Sequence, residues 1–106
     1  MTTQMRAAIA CMTLFFFSLV LFAGCESRGS QLFHNGKCIE CHTLNGEGGS
    51  SGPNLSDVGS RRSREYIVEQ IKNPRSHKSS SDMPSFEGRL PEKDIQALAD
   101  YLSDQK

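Results

Sequence analysis

Apolar residues are distributed unevenly along this chain of 106 residues, and the imbalance limits how its larger part can fold. The first 24 residues contain 17 of the 39 apolar residues, which leaves 22 among the remaining 82, or about 27%. A small chain that buries so little apolar surface rarely folds on its own core, because burial barely offsets the entropy lost on ordering. Residues 25–106 therefore need a further stabilising element, such as a disulfide or a metal.

The N-terminal segment has the organisation of an export signal. Arg6 lies in a short polar start, and residues 7–23 form an apolar run that only Thr13 and Ser18 interrupt. This is the n-region and h-region pattern of a signal peptide, so we assign residues 1–24 to a signal and residues 25–106 to one domain. A run of this length is at the lower edge of what spans a bilayer, which makes an uncleaved anchor the alternative.

The end of this segment predicts a lipid anchor. Leu21-Phe22-Ala23-Gly24-Cys25 resembles the lipobox of bacterial lipoproteins, in which small residues precede a cysteine that is lipidated and becomes the first residue. Phe22 departs from that pattern. Acyl chains on Cys25 would hold the domain on a membrane, whereas simple cleavage would release it. The sequence therefore predicts an exported, periplasmic protein with a lipid anchor.

The part after residue 24 reads as short helices separated by long loops. The helices are predicted at residues 31–38, at residues 63–72, and from residue 91 or 92 onward. Ser63 is the expected N-cap of the second, and the third carries an apolar stripe at Ile95, Leu98, Ala99 and Leu102. No alternation of period two predicts a strand. The polar stretch 75–90 is long for an unstructured loop, so it is either disordered or wrapped around another group.

One motif carries the chemistry of this sequence. Cys38-Ile39-Glu40-Cys41-His42 has the form C-x-x-C-H, the attachment signature of c-type haem. On one helical turn both thiols face the same side and can add to two vinyl groups of one porphyrin, while His42 reaches the iron. A zinc site would need more cysteines, and a thioredoxin-like dithiol would need a βαβ pattern that this sequence lacks. The sequence predicts one haem c bound through Cys38 and Cys41.

Met83 is the expected distal ligand of that haem. The other three methionines precede residue 24, so Met83 is the one thioether in residues 25–106. It lies in the hydrophilic segment SSSDMPSF, on no helical stripe, where packing against a helix does not explain it. His77 is the rival axial ligand, and Asn73 is a candidate donor of a hydrogen bond to the methionine sulfur.

These motifs resemble those of small monohaem bacterial cytochromes c of class I, over residues 29–102. The crossed terminal helices of that family are resembled by Gly29-x-x-x-Phe33 and Leu98-x-x-Tyr101. The segment Gly52-Pro53-Asn54-Leu55 resembles the one whose proline carbonyl accepts a hydrogen bond from the ligand histidine. The segment Met83-Pro84-Ser85-Phe86 resembles the loop that contains the distal methionine. The resemblance implies an all-α fold of three to four short helices and long loops around one covalent haem. It also implies His42 and Met83 as axial ligands and Pro53 as the support of His42.

With both axial positions filled, the iron has no open site, so an electron carrier rather than an enzyme is expected. The alternatives are a haem subunit of a respiratory oxidase or reductase complex, and a peroxidase or gas sensor with a labile distal methionine. Residues 25–106 carry a net charge of −1, or about −3 with two ionised propionates. Such weak charge favours transient docking of a monomer to redox proteins and gives no basic field for nucleic acid. Arg61 or Arg62 is expected to pair with a propionate, the alternative being a solvated basic pair.

Overall fold

Five short α-helices and one small hairpin make up the described part of the protein, residues 26–106 of a computed structural model. The elements are α1 Arg28–Asn35, α2 Cys38–Cys41, β1 Thr43–Leu44, β2 Glu47–Gly48, α3 Val58–Arg61, α4 Arg64–Lys72, a 3₁₀ turn Pro74–Ser76, and α5 Glu92–Ser103. The mostly helical class is confirmed. The helices number five in residues 26–106 instead of three to four, because α2 and α3 are single turns, too short for a periodic pattern to reveal. The predicted signal segment 1–24 and Cys25 lie outside the described residues.

The first predicted helix is misplaced by about one turn. Helix α1 begins at Arg28, because Ser27 is its N-cap: the Ser27 hydroxyl accepts from the backbone N–H of Ser30 at 3.2 Å. The helix ends at Asn35, where the Gly36 N–H closes the last turn on the Leu32 carbonyl. Because helix α1 ends before Gly36, Cys38 begins a separate helical turn instead of being the last residue of α1.

Helices α1 and α5 cross at Gly29, as the resemblance implied. A Cβ atom on Gly29 would lie 2.3 Å from the Ala97 carbonyl oxygen and 2.4 Å from Tyr101 Cβ, so only glycine permits this approach. One turn along, Phe33 is fully buried and its ring centroid lies 6.3 Å from that of Tyr101. The crossing brings the helix that precedes the C-x-x-C-H motif onto the C-terminal helix.

The second and third predicted helices have the expected starts. The Ser63 hydroxyl caps α4 by accepting from the Tyr66 N–H at 3.1 Å, and α5 begins directly after Pro91. The whole predicted stripe of α5 is buried. The core of the described residues consists of Phe33, Leu44, Val58, Ile67, Ile71, Ile95, Leu98, Ala99 and Leu102. Within residues 26–106, no helix combines the length and the apolarity needed to cross a membrane.

The segments between the helices are also folded. The expectation of no strand is wrong for residues 43–48, where β1 and β2 pair in antiparallel register around Asn45 and Gly46, both with positive φ. The polar stretch 75–90 packs back on α4: the Phe86 N–H donates to the Ile71 carbonyl at 3.0 Å, and the Ser85 hydroxyl donates to the Lys72 carbonyl. Two carbonyls at the helix end are thus satisfied, which fixes the loop that contains Met83.

Candidate functional site

The single turn α2 places the two thiols of the motif. Cys38 and Cys41 are three residues apart and therefore share one side of the turn, and neither forms a disulfide. Cys38 is partly buried against the core, and burial raises the pKa of its thiol, while Cys41 is exposed. Among residues 26–106, no three His, Cys, Asp or Glu side chains lie close enough together to hold a metal ion.

His42 follows α2 directly and its ring is fixed on one side. Its Nδ1 atom lies 2.7 Å from the carbonyl oxygen of Pro53. Because a carbonyl only accepts, Nδ1 carries the proton and Nε2 keeps its lone pair for a metal. A Cβ atom on Gly52 would lie 2.7 Å from Cε1 of the same ring, so the absence of a side chain at residue 52 makes room for the imidazole.

The loop that supplies the Pro53 carbonyl is held from three directions. The Gly52 N–H donates to the Cys41 carbonyl at 2.7 Å, and the Leu55 N–H donates to the Thr43 carbonyl at 2.9 Å. From α3, the Arg61 guanidinium donates to the Asn54 carbonyl at 2.7 Å and to Asp57 at 2.9 Å. Arg61 therefore braces the loop beside His42, and its role toward a propionate stays a prediction.

The two predicted axial ligands line the same cavity. Its wall is formed by Phe33, Cys38, His42, Leu55, Ile71, Met83, Phe86, Leu90, Leu98 and Leu102. Apart from these apolar side chains it presents the Cys38 thiol, the His42 imidazole and the Met83 thioether, which are one of the two attachment thiols and both axial donors of a c-type haem, while Cys41 of α2 is exposed. A cleft of about 450 Å³ adjoins the cavity at Cys38 and Phe86 and is bordered by Lys37 and Arg89. The residues present fit a covalently attached haem.

The distal side contains a contact that the sequence analysis missed. The Gln70 amide nitrogen lies 3.5 Å from Met83 Sδ, and its oxygen lies 2.8 Å from His77 Nδ1. The donor to the sulfur is thus Gln70 instead of Asn73, one turn earlier on α4. Met83, unlike its rival His77, is part of the cavity wall. The signal available in the sequence was a side-chain amide shortly before the loop of Met83. Gln70 and Asn73 both meet that description, and spacing alone does not distinguish them.

Comparison with known proteins gives a family and a relative for this chain. Residues 26–106 match the family model described as Cytochrome c. The chain is 31% identical over 88 residues to cytochrome c oxidase subunit 2 of Alkalihalophilus pseudofirmus, a match that covers 76% of this chain and 25% of that protein. The chain thus spans about a quarter of the length of this curated relative. No solved structure matches.

Proposed function

This chain belongs to the cytochrome c family, and we propose that it is a one-electron carrier in a respiratory or other periplasmic electron-transfer chain. Members of the family transfer electrons through haem attached covalently to cysteines, which here are Cys38 and Cys41. The observation that carries the proposal is the cavity that His42 and Met83 line together beside Cys38. Two axial donors from the chain leave no coordination position for oxygen or peroxide, which favours electron transfer over catalysis.

The residues around the cavity suit this role. Haem, when bound, supplies a couple that accepts and releases a single electron. The Pro53 carbonyl fixes the tautomer of His42 and makes its Nε2 a stronger donor. The thioether of Met83 favours the reduced metal, and the apolar wall keeps water away, so both raise the reduction potential. Covalent bonds from Cys38 and Cys41 would prevent loss of the haem during repeated oxidation and reduction.

The decisive experiment tests the distal ligand. A bond between methionine sulfur and ferric iron gives a weak charge-transfer band in the far red, and the ferric wild type is expected to show it. Met83→Ala should remove the band, lower the potential and open the iron to carbon monoxide, while His77→Ala keeps the iron closed. If the reduced wild type binds carbon monoxide readily, the carrier function fails and a peroxidase or sensor is favoured.

A second function follows from the relative named above. Because that protein is named as a subunit of cytochrome c oxidase, the alternative is a haem-bearing part of a respiratory oxidase or reductase complex. Purification in mild detergent separates the two. A carrier should elute as a free monomer with redox partners bound only transiently, whereas a subunit should remain with the other polypeptides of the complex.

We also propose that residues 1–24 direct export and that Cys25 carries the lipid that anchors the domain to a membrane. The support is the sequence pattern from Leu21 to Cys25. Cys25→Ser should end labelling by radioactive palmitate and release the protein from membranes, with Ser27→Ala as a control that leaves both unchanged. Membrane retention of Cys25→Ser without label would favour an uncleaved helix.

A further inference from the structure

We propose that His77 is a positioning residue for the distal ligand: it holds the carboxamide of Gln70 in the orientation that donates a hydrogen bond to Met83. The inference rests on the proposed ligation of iron by Met83. Three side chains form a continuous series, in which His77 Nδ1 lies 2.8 Å from Gln70 Oε1 and Gln70 Nε2 lies 3.5 Å from Met83 Sδ.

The chemistry of the three groups fixes their orientation. A thioether sulfur has no proton and only accepts, so the NH₂ end of the Gln70 amide must face Met83. The oxygen end then faces His77, and this contact is favourable only when Nδ1 carries a proton. Without a donor at His77, the amide is free to turn its oxygen toward the sulfur, where lone pairs would oppose each other. His77 therefore decides which end of Gln70 meets the ligand.

The imidazole is itself held in place, although it is exposed. Its ring stacks on Tyr66 with centroids 3.8 Å apart and an angle of 6° between planes, and the Arg62 guanidinium lies 4.5 Å from the Tyr66 centroid. Tyr66 and Gln70 are four residues apart on α4 and so share one face. The backbone before His77 is fixed by the 3₁₀ turn that begins at the buried Pro74. An ordered ring is what a positioning role needs.

A hydrogen bond to the sulfur has a measurable effect on the metal. The donor draws electron density from the thioether, which weakens its bond to ferric iron more than its bond to ferrous iron. The contact from Gln70 therefore raises the reduction potential and restrains the sulfur sterically. Loss of the contact should therefore lower the potential.

Two substitutions of His77 separate the donor from the ring. His77→Phe keeps a ring for stacking on Tyr66 but removes the donor, whereas His77→Asn places an amide near the former Nδ1 and removes the ring. In the holoprotein, His77→Phe should shift the ferric-to-ferrous ratio at fixed potential by about two- to tenfold toward ferric, where tenfold corresponds to ~59 mV for one electron. His77→Asn should retain most of the wild-type potential. His34→Phe is the control, since His34 Nδ1 contacts the Ser30 carbonyl of its own helix at 2.9 Å.

A double-substitution cycle tests whether His77 acts through Gln70. Gln70→Leu should lower the potential at least as far as His77→Phe, and combining the two should add little. Full additivity would overturn the proposal, as would a wild-type potential in His77→Phe, or a loss in His77→Asn as large as in His77→Phe. These failures would leave the far-red band of the wild type intact. Absence of that band from the wild type would instead contradict ligation by Met83.

Discussion

At the scale of single residues, the packing around the His42 ring depends on the absence of a side chain at residue 52. Gly52 lies against the imidazole of His42, and the next residue supplies the carbonyl that orients Nδ1. A side chain at residue 52 would meet the ring at 2.7 Å, well inside van der Waals contact. The ring and the loop would then have to separate, so the Pro53 hydrogen bond would lengthen as well.

Gly52→Ala is therefore expected to weaken proximal ligation. We expect the ferric spectrum to gain a fraction of high-spin iron and the free energy of unfolding to fall by roughly 1–3 kcal/mol, as in other overpacked sites. Optical spectroscopy and guanidinium unfolding of the holoprotein measure both. Ser51→Ala, at the exposed preceding residue, is the control. An unchanged spectrum together with an unchanged guanidinium midpoint would contradict this prediction, because the loop would then accommodate the methyl group without a loss of stability.

The predictability of these residues depends on whether covalent chemistry or tertiary folding fixes them. Cys38, Cys41 and His42 are adjacent because one macrocycle must reach all three, so spacing in the sequence is enough to predict them. Gln70 contacts both Met83 and His77 only because the loop after α4 folds back on the helix. No local pattern encodes that return, which is why Asn73 was predicted in place of Gln70.

At the scale of elements, the crossing of α1 and α5 requires close backbone approach. Gly29→Ala would push a methyl group against the Ala97 carbonyl and Tyr101. We expect a loss of about 1–3 kcal/mol in the free energy of unfolding, with the haem spectrum retained, because Gly29, Ala97 and Tyr101 are not part of the cavity wall. Thermal or denaturant unfolding measures it, and Asn35→Ala at the exposed end of α1 is the control. A free energy of unfolding equal to that of the wild type would contradict the prediction, because the two helices would then separate at the crossing without a loss of stability.

The ion pair between α4 and α5 gives a pH-dependent prediction. Lys72 Nζ lies 2.9 Å from the Glu92 carboxylate, and this hydrogen bond raises the pKa of Lys72 and lowers the pKa of Glu92. A lowered carboxyl pKa stabilises the fold above its ordinary value of 4.5, and that contribution is lost as the pH falls through the lowered value. A raised amine pKa stabilises below 10.5 and is lost as the pH rises through the raised value.

Glu92→Gln should therefore have a lower melting temperature than the wild type at neutral pH, and the difference should disappear as the pH falls from 4.5 through the lowered pKa of Glu92. Added salt should also reduce it, because both side chains are solvent-accessible. Glu65→Gln removes the same charge from the first turn of α4 and is the matched control for the helix dipole. A difference that persists unchanged in acid would exclude the ion pair as its cause.

Among the elements, start signals and apolar stripes predicted the helices correctly, whereas the absence of a periodic pattern did not correctly predict the absence of strands. Helices α4 and α5 follow Ser63 and Pro91 as predicted, because each carries both a start signal and an apolar face. The hairpin was missed, although Asn45-Gly46 is the residue pair that a tight turn with positive φ prefers. Its two strands are two residues each, too short for alternation to be visible.

At the scale of the whole molecule, the core and the haem site share side chains. Of the buried apolar residues, Phe33, Ile71, Leu98 and Leu102 also line the cavity. These residues come from α1, α4 and α5, so each main helix packs one side of its apolar face against the space between His42 and Met83. Without a group in that space, these side chains would lose contacts that neighbouring residues are too few to replace. Haem is thus expected to complete the core as well as to carry the electron.

The chain with Cys38→Ala and Cys41→Ala should therefore fail to fold when it is exported. Mass spectrometry of the denatured wild type should show the added mass of one haem, which the double variant lacks. Circular dichroism should show little helix in that variant, and proteases should degrade it, since about 27% apolar residues cannot form a stable core alone. Met83→Ala is the control: it keeps both thioether bonds and should keep the helices while losing the distal ligand. A double variant that folds cooperatively without haem would show that the helices pack independently, and the cavity would then be a binding site within a finished fold instead of part of its core.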